Sequence, residues 1–392
     1  MSFIMNIRSV AKYESKILVR SWFFRIFTLL AVVFLGFFNF AMMLMEDNFG
    51  LWFAKSVSSN IPYLNLLLLN TGQAVVAVFL SSEFLKRDKK LDTFEVFYVR
   101  PLSNAEYVVG KIWGNLRVFL FLNLLVLAIV LAFNFMASGV TVDLPAYLVY
   151  FFLISIPTLI FIIGLSIFLM LLLKNQALTF ILLLGYIGLT LFYIQDKFYY
   201  LFDYMVYNLP LFKSTIVGFS NLELILNHRA IYFFAGLGFI FFTIFLFKRL
   251  PNARRSHYPW LFLSFCMFLL MVTAGFRHVR SILWEGEMRA LYTSINNKYV
   301  YEPKMAIDYY DISVEQKSET IRSVVGMEGT ALAVSEVFIF CLNPGLRVEE
   351  VKDGEKSLNF KREEQILAVD FGRKIEKGDT ISFSVSYEGR IK

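Results

Sequence analysis

The segment Ser81–Leu116, SSEFLKRDKKLDTFEVFYVRPLSNAEYVVGKIWGNL, lies between two apolar runs that are each long enough to cross a bilayer. Counted with the adjacent Arg117, its basic residues outnumber its acidic ones. The basic residues are Lys86, Arg87, Lys89, Lys90, Arg100, Lys111 and Arg117, and the acidic residues are Glu83, Asp88, Asp92, Glu95 and Glu106. Such a bias is typical of a cytoplasmic loop. Pro101 cannot continue a helix and restricts Arg100 toward extended geometry. The segment therefore predicts a structured cytoplasmic loop in which one helix ends and another begins.

Seven apolar runs predict a polytopic α-helical membrane protein. A composition that is 57% hydrophobic and 18% charged is too apolar for a soluble chain of 392 residues. The runs lie near Phe23–Met45, Tyr63–Ser82, Leu116–Met136, Tyr147–Leu173, Ala177–Gln195, Ile231–Phe247 and Pro259–Phe276. The first run is too long for a signal-peptide core and lacks a small-residue cleavage site, so we interpret it as a retained span.

The distribution of Lys and Arg predicts a cytoplasmic N-terminus. Bases are concentrated before the first span, in the loop after the second, and around residues 248–255. The segments on the opposite side carry only Lys55, Lys197, Lys213 and Arg229. With seven spans, everything after Phe276 is then extracytoplasmic. The formal net charge of +7 comes from these membrane-flanking bases, so it does not indicate nucleic-acid binding.

The parts flanking the spans have distinct compositions. Residues 1–22 place apolar side chains at helical spacing and bases elsewhere, which predicts an amphipathic interface helix, although Glu14 lies close to the apolar stripe. Residues 251–258 form a basic linker, residues 259–276 the seventh span, and residues 277–305 a juxtamembrane connector. The aromatic segment Asp196–Arg229 is either a pair of short helices broken at Asn208-Leu209-Pro210 or a simple interfacial loop.

Residues 306–392 predict an extracytoplasmic all-β, sandwich-like module. Short runs alternate apolar and polar residues and are separated by Gly, Asn-Pro-Gly or Asp-Gly. Lys352-Asp353-Gly354 is a hairpin signal because Gly supplies the positive φ that such turns require. We interpret Val325-Gly326-Met327-Glu328-Gly329 as a turn. The two cysteines, Cys266 in the seventh span and Cys341 in the module, do not indicate a disulfide.

The loop after the second span resembles the cytoplasmic loop of ABC type-2 exporter permeases. Those proteins carry a Glu at the end of the second span, a basic turn, a short helix, a Pro-Leu-Ser break and a Gly-Lys pair. The resemblance places ATPase-coupling residues at Glu83, Asp92, Thr93, Phe94, Glu95, Arg100, Pro101, Leu102, Ser103, Gly110 and Lys111. It implies a six-span permease domain over residues 23–250 with a coupling loop at 84–115. The other interpretation of the loop is a basic segment that only follows the positive-inside rule.

The end of the chain resembles part of the N-terminal β-domain of aminopeptidase N-type zinc peptidases. The resemblance rests on the Leu-Asn-Pro-Gly-Leu strand at 342–346, Gly354 with the following strand, and Gly378-Asp379 leading to Tyr387-Glu388-Gly389. In that family the domain continues beyond this point, so the resemblance implies that the module is incomplete. We expect its alternating strands to leave an apolar face and a strand edge exposed.

Neither a zinc-peptidase site nor an ATP site is present in the sequence. The peptidase motif H-E-x-x-H brings two imidazoles to one metal, whereas His228, His257 and His278 do not have that spacing, and we expect them at membrane interfaces. A phosphate-binding loop ends in Gly-Lys-Ser/Thr, but Gly110-Lys111 is followed by Ile112. We therefore predict no catalytic residues, no metal and no directly bound cofactor, with ATP and magnesium held by a partner.

Few polar residues lie inside the predicted spans, where they are costly. Asn70 and Gln73 share one face of the second span, Asn123 lies in the third, and Pro157 interrupts the fourth. These four residues are a candidate translocation surface. The alternative is that they form hydrogen bonds and packing contacts between helices.

Taken with its resemblances, the sequence predicts the membrane subunit of an ATP-driven ABC exporter, itself not an enzyme. The expected partners are a cytoplasmic ABC ATPase subunit, a second permease half (a second copy or a paired permease) and the lipid of the cell membrane, with no nucleic acid. The alternative is the membrane-anchored part of an aminopeptidase-like fusion whose zinc domain lies beyond this chain. A seven-span receptor is disfavoured because it does not need a helix–break–helix loop after its second span.

Overall fold

The computed structural model describes residues 2–44, 58–82, 102–136, 141–194, 196–209, 211, 213, 218–219, 221–247, 258–317 and 320–391. The described chain divides into two compact units, Met1–Ser281 and Ile282–Lys392. The first unit is helical, and the second contains a β-sandwich. The predicted combination of a helical part and a C-terminal β-module is confirmed.

Eight helices of eight or more residues lie in the described ranges, and they are α1 Ser2–Arg20, α2 Trp22–Leu44, α3 Asn60–Ser82, α4 Asn104–Met136, α5 Leu144–Leu173, α6 Gln176–Ile194, α7 Leu222–Leu246 and α8 Tyr258–Lys298. All but α1 are long and apolar enough to cross a membrane, so the predicted count of seven is confirmed for the described residues. Large apolar side chains such as Phe37 and Phe192 are exposed on their outer faces, as expected of a membrane protein.

Three helix boundaries differ from the sequence prediction. Helix α4 begins at Asn104 rather than near Leu116, α7 begins at Leu222 rather than near Ile231, and α8 continues to Lys298 rather than ending near Phe276. In each case the helix extends through polar or charged residues that interrupt the apolar run. Part of the predicted connector 277–305 is therefore helical, and Gly110 and Lys111 lie in a helix rather than in the loop at 84–115.

Helix α5 contains a π-helical turn at Phe151–Ser155, and α6 ends in another at Thr190–Ile194. After α6, Phe198–Tyr200 form one short turn, and the described residues from Leu201 to Lys213 are irregular. The pair of short helices considered for this segment is thus not found among the described residues, of which Pro210 is not one. Glycines allow α5 and α7 to cross closely, because a Cβ on Gly164 would lie 2.6 Å from the Gly236 carbonyl oxygen.

The sandwich consists of two antiparallel sheets. Its strands are β1 Met305–Lys317, β2 Thr320–Ala331, β3 Ser335–Cys341, β4 Leu346–Asp353, β5 Lys356–Ser357, β6 Asn359–Glu363, β7 Ile366–Ile375 and β8 Thr380–Gly389. One sheet has the order β1-β2-β8-β4-β5, and the other has the order β3-β7-β6. Phe338 and Phe371 of the smaller sheet pack with Phe383 and Val351 of the larger one in a buried core.

The sequence predicts two turns in the module, and the structure confirms one of them and contradicts the other. Strands β4 and β5 pair across the Asp353-Gly354 turn, and Gly354 has φ +59°. The segment Val325–Gly329, interpreted from sequence as a turn, instead lies inside strand β2 and pairs with both β1 and β8. Its two glycines do not end the strand, because neighbouring strands satisfy its backbone on both sides.

Candidate functional site

The N-terminal helix α1 packs closely on the first half of α4. A Cβ on Gly110 would lie 2.7 Å from Cβ of Val10, and a Cβ on Gly114 would lie 2.7 Å from Cβ of Glu14. These two glycines form a G-x-x-x-G pattern, which lets helix backbones approach each other. Ser15 Oγ spans the short gap and donates to the Gly114 carbonyl oxygen at 2.7 Å.

Charged side chains also stabilise the contact between α1 and α4. Lys111 and Glu14 form an ion pair with Nζ and Oε2 3.7 Å apart, and each side chain is only 3% exposed. Arg117 donates through its guanidinium to Ser15 Oγ at 2.5 Å and to the Ala11 carbonyl oxygen at 2.8 Å. Glu14, which interrupts the apolar stripe of α1 in the sequence, therefore faces the basic residues of α4. This explains why Lys111 is buried in a helix.

A capping box begins α4 directly after the predicted helix break. Ser103 N–H donates to Glu106 Oε2 at 2.6 Å, while Glu106 N–H donates to Ser103 Oγ at 3.1 Å. This reciprocal pair satisfies two backbone donors at the start of a helix. Asn6 Nδ2 of α1 donates to the other oxygen of Glu106 at 2.9 Å. The end of the predicted coupling loop is thus fixed to both α4 and α1.

The end of α7 also contacts the first turns of α4. Asn104 Nδ2 donates to the Phe247 carbonyl oxygen at 2.5 Å, and the Tyr107 and Phe247 rings stack 5.5 Å apart. Lys111 Nζ lies 5.1 Å from the centre of the Tyr107 ring. We call this meeting of α1, the first turns of α4 and the end of α7 the inner junction.

The structure places only part of the predicted coupling set. Leu102 and Ser103 precede α4, and Gly110 and Lys111 lie within it. Glu83, Asp92, Thr93, Phe94, Glu95, Arg100 and Pro101 are outside the described residues, so their role stays a prediction.

Three of the four candidate translocation residues form one hydrogen-bonded network. Gln73 Nε2 donates to Asn70 Oδ1 at 2.6 Å, Asn123 Nδ2 donates to Gln73 Oε1 at 2.9 Å, and Asn70 Nδ2 lies 3.3 Å from Asn123 Oδ1. Ser155 Oγ donates to Asn123 Oδ1 at 2.8 Å. All four residues are fully buried, and they link α3, α4 and the π-helical turn of α5. This neutral, mutually satisfied amide network favours the packing interpretation of these residues.

The fourth candidate, Pro157, is not part of this network, and it leaves a carbonyl oxygen of its own helix available to Arg229. Because Pro157 has no N–H, it cannot donate to the Leu153 carbonyl oxygen one turn earlier. Arg229 of α7 occupies that acceptor, with Nε 2.6 Å from the Leu153 oxygen. The same guanidinium donates to Thr158 Oγ1 at 2.8 Å and to the Tyr204 carbonyl oxygen at 3.0 Å. Arg229 was assigned to an outer segment from sequence, but it is buried in α7 because these acceptors replace water.

Two histidines bind the segment that follows α6. Phe198, Tyr199 and Tyr200 all have φ between 53° and 62°, a left-handed turn that costs roughly 1–2 kcal/mol for each residue with a side chain. His278 Nε2 donates to the Tyr199 carbonyl oxygen at 2.8 Å, and His228 Nε2 donates to the Tyr200 carbonyl oxygen at 3.0 Å. Both imidazoles are fully buried by protein groups, and their position at a membrane interface stays a prediction; His257 is outside the described residues.

The hydroxyl of Tyr232 donates to the next carbonyl oxygen, that of Leu201. Farther along, the Asp203 carboxylate accepts the N–H groups of Tyr207 and Asn208 at 2.9 and 2.8 Å. Burial raises the pKa of Asp203 above its ordinary value, although those two N–H groups and Arg229 act in the opposite direction. The segment from Tyr199 to Asn208 is thus held to α7 and α8 through backbone groups.

Among the described residues, no three His, Cys, Asp or Glu side chains are grouped to hold a metal ion. His228 and His278 have ring centroids 5.0 Å apart, but each uses Nε2 on a carbonyl oxygen. The arrangement therefore serves to fix the turn.

Comparison with known proteins gives little overlap. The sequence matches no protein-family model and no curated protein. Among solved structures, it is similar to a two-domain M1 zinc metallopeptidase bound to L-tryptophan and to an M1 zinc metallopeptidase from Deinococcus radiodurans bound to a Tyr-Ser-Ala substrate. Each likeness has 17% identity and TM-score 0.21, and covers 22% of this chain and 21% of the other. The chain thus spans about a fifth of those proteins, and likeness of this size establishes neither a common fold nor a common activity.

Sequence reasoning missed three contributors to these sites. The pattern Ser103-x-x-Glu106 is a readable capping-box signal for the start of α4, and Gly110-x-x-x-Gly114 is a readable close-packing signal. Ser155 had no local signal, because its role depends on Asn123 in another helix.

Proposed function

We propose that this chain is the membrane subunit of an ABC type-2 exporter, driven by a separate cytoplasmic ATPase. The observation that carries the proposal is the inner junction. The loop that resembles the family's coupling loop ends at Ser103, and Ser103 caps a helix whose first turns are joined to α1 and α7. A loop fixed in this way can transmit a displacement instead of absorbing it.

Helix α4 provides the path of transmission. Its 33 residues extend about 50 Å at ~1.5 Å per residue, enough to cross the hydrocarbon core of a bilayer with turns to spare. Asn123, near its middle, belongs to the buried amide network that also includes α3 and α5. A tilt of α4 at its capped end therefore changes the packing of the helices around Asn123. Helix α1 moves with α4, because Lys111 and Glu14 join the two.

The proposed partners follow from this role. The ATPase holds ATP and magnesium and binds the loop around residues 92–103, which is outside the described residues except for Leu102 and Ser103. A second permease half, either a copy of this chain or a paired permease, completes the transport pathway. We place the chain in the cell membrane with its N-terminus cytoplasmic and the β-module extracytoplasmic, on the basis of the distribution of Lys and Arg.

Co-purification of the full chain with its ATPase tests the proposal. Phe94→Asp combined with Arg100→Glu should abolish recovery of the ATPase and ATP-driven transport without preventing membrane insertion, since both changes lie at the expected contact. Tyr301→Asp combined with Arg373→Glu is the matched control, because it makes the same types of change at exposed positions of the second unit. Retention of the ATPase by the first variant, or absence of any ATPase partner for the wild-type chain, contradicts the proposal.

A further inference from the structure

Strand β1 ends the larger sheet and has a free edge. It has 13 residues, and it pairs only with β2 in the strand order of that sheet. Nearly all of its residues beyond Ile307 are exposed. Within the described part of the chain, no strand covers the other edge of β1. A long exposed edge is a template for pairing with a further strand.

One face of this edge strand is apolar. Tyr310, Ile312 and Val314 are 53%, 57% and 56% exposed, and they share a face because strand side chains alternate. The register places Val325 of β2 opposite Ile312, and Val325 belongs to the buried interior of the sandwich. The apolar row is therefore a continuation of the core face, and the smaller sheet leaves it uncovered.

A groove of about 400 Å³ lies beside that row. Tyr310 and Ile312 form one wall, Phe340 and Cys341 of β3 form the other, and Met327 contributes to the floor. Strand β3 is an edge strand of the smaller sheet, so the groove opens between one edge of each sheet. Its volume suits two or three medium-sized apolar side chains.

The opposite face of β1 is acidic. Asp311 and Glu315 are exposed there, and Glu328 of β2 lies opposite Tyr309. The bases on this face are Lys317, at the end of β1, and Arg322, opposite Glu315. Arg322 already pairs with Glu349 and Glu388, so only Lys317 remains against the three carboxylates. This face therefore has an excess of negative charge at the free edge.

We propose that β1 and the groove bind an extended polypeptide segment whose side chains alternate between apolar and basic. Its backbone adds a strand next to β1, its apolar side chains enter the groove beside Ile312, and its Lys or Arg side chains face Asp311 and Glu315. Strand addition of this kind draws affinity from backbone hydrogen bonds and specificity from alternate side chains. The proposal concerns the second unit alone and does not depend on the exporter function.

In the antiparallel register centred on Ser313, a second copy of the chain is disfavoured on this surface. If two β1 strands pair antiparallel about Ser313, Asp311 of one copy lies opposite Glu315 of the other. Like charges directly opposite each other destabilise a strand pair. A basic segment meets no such repulsion.

Binding of synthetic peptides to the full chain in detergent tests the proposal. The probe is a fluorescent nine-residue peptide that alternates Lys with Val and Ile. One control peptide has the same composition in two blocks, and another has Glu in place of Lys. We expect saturable binding of the alternating basic peptide, and binding at least about tenfold weaker for both controls, a difference of about 1.4 kcal/mol.

Two chain variants locate the site. Ile312→Gln should weaken binding at least about tenfold, whereas Val324→Gln should leave it unchanged. Val324 is a matched control because it is 50% exposed and lies opposite Ser313, hence on the other face of the sheet. Asp311→Asn combined with Glu315→Gln should weaken binding of the basic peptide and reduce its salt dependence.

Three outcomes overturn the proposal. One is the absence of saturable binding by the alternating basic peptide. Another is equal binding to the Ile312→Gln and Val324→Gln variants. The third is self-association, measured by sedimentation without peptide, that Ile312→Gln abolishes. If this self-association also prevents peptide binding, a second copy of the chain is the occupant.

Discussion

Lys111 of α4 and Glu14 of α1 lie with Nζ and Oε2 3.7 Å apart, and almost none of either side chain is exposed. Burying two charges costs free energy that their attraction only partly offsets, so such a pair depends on both members. Lys111 lies between Gly110 and Gly114 of α4, and Glu14 is the residue of α1 that Gly114 approaches, so the pair belongs to the glycine contact of the inner junction. The stability of variants at this pair therefore measures how strongly α1 packs on α4.

The first prediction concerns loss of one charge from this pair. Lys111→Met should lower the free energy of unfolding by about 3–5 kcal/mol, because Glu14 remains buried after losing the charge of Lys111. Lys111→Met combined with Glu14→Met should be much less destabilising, since no buried charge remains. Thermal unfolding of the detergent-solubilised chain, arranged as a double-mutant cycle, measures the difference. A loss in the double variant equal to the sum of the losses in Lys111→Met and Glu14→Met would show that the two charges are not coupled.

The second prediction concerns the close approach of α1 and α4. Gly114→Ala should loosen this contact, because the new Cβ would lie 2.7 Å from Cβ of Glu14 and 2.9 Å from the Ala11 carbonyl oxygen. Gly185→Ala in α6 is the matched control, since nothing lies within 4 Å of its Cβ. The control should be neutral or slightly stabilising, by up to about 1 kcal/mol.

Proteolysis measures the release of α1 in these variants. Cleavage within residues 2–20 should become faster in Gly114→Ala than in the wild type, and should remain unchanged in Gly185→Ala. The same cleavage rate in all three proteins would be inconsistent with glycine-dependent packing.

The sequence predicts those parts of the fold that depend on local signals. The seven apolar helices follow from hydropathy, and the β4–β5 turn follows from the conformational freedom of Gly354. The start of α4 was predicted too late because Lys111 interrupts the apolar run. The Ser103–Glu106 capping box contains the information that would have corrected it.

The parts that could not be predicted depend on residues distant in the chain. Arg229 is a typical membrane-flanking base by sequence, and its burial requires the carbonyl oxygen that Pro157 leaves free in another helix. The amide network was predicted as a set of polar residues, but whether they face a pathway or each other depends on helix packing. The strand at Val325–Gly329 likewise depends on its two neighbouring strands, which override the turn preference of glycine.

The third prediction separates the packing and translocation interpretations of the amide network. Asn123→Leu should destabilise the chain by about 2–4 kcal/mol, since it leaves Gln73 Oε1 without its donor and the Ser155 hydroxyl without its acceptor. Asn134→Leu is the matched control on the same helix, because among the described residues the Asn134 side chain forms one hydrogen bond, to the Tyr147 hydroxyl. Unfolding temperatures of the two variants give the comparison. A stable Asn123→Leu variant with altered substrate selectivity would favour a translocation surface instead.

The fourth prediction concerns Arg229 and Pro157. Arg229→Met should destabilise the chain by about 3 kcal/mol or more, because the Leu153 carbonyl oxygen loses its guanidinium donor and the Tyr204 carbonyl oxygen keeps only Thr158 Oγ1, at 3.3 Å. Adding Pro157→Ala should recover part of this loss, since an N–H at position 157 can donate to the Leu153 oxygen within the helix. Unfolding of the single and double variants tests the coupling. If Pro157→Ala gives no recovery, another group must satisfy that carbonyl oxygen.

The last prediction concerns topology, for which the distribution of Lys and Arg predicts a cytoplasmic N-terminus. In a chain whose Cys266 and Cys341 are replaced by Ser, single cysteines are introduced as Asp88→Cys, Asn252→Cys or Glu355→Cys. An impermeant thiol reagent should label only the Glu355→Cys variant in intact cells, because Glu355 is exposed in the β4–β5 hairpin and we expect the β-module to be extracytoplasmic. All three variants should be labelled after lysis, which is the control for accessibility. Labelling of Asp88→Cys and Asn252→Cys alone would invert the orientation. Shielding of all three in intact cells would mean that α8 does not cross the membrane and that the β-module is cytoplasmic.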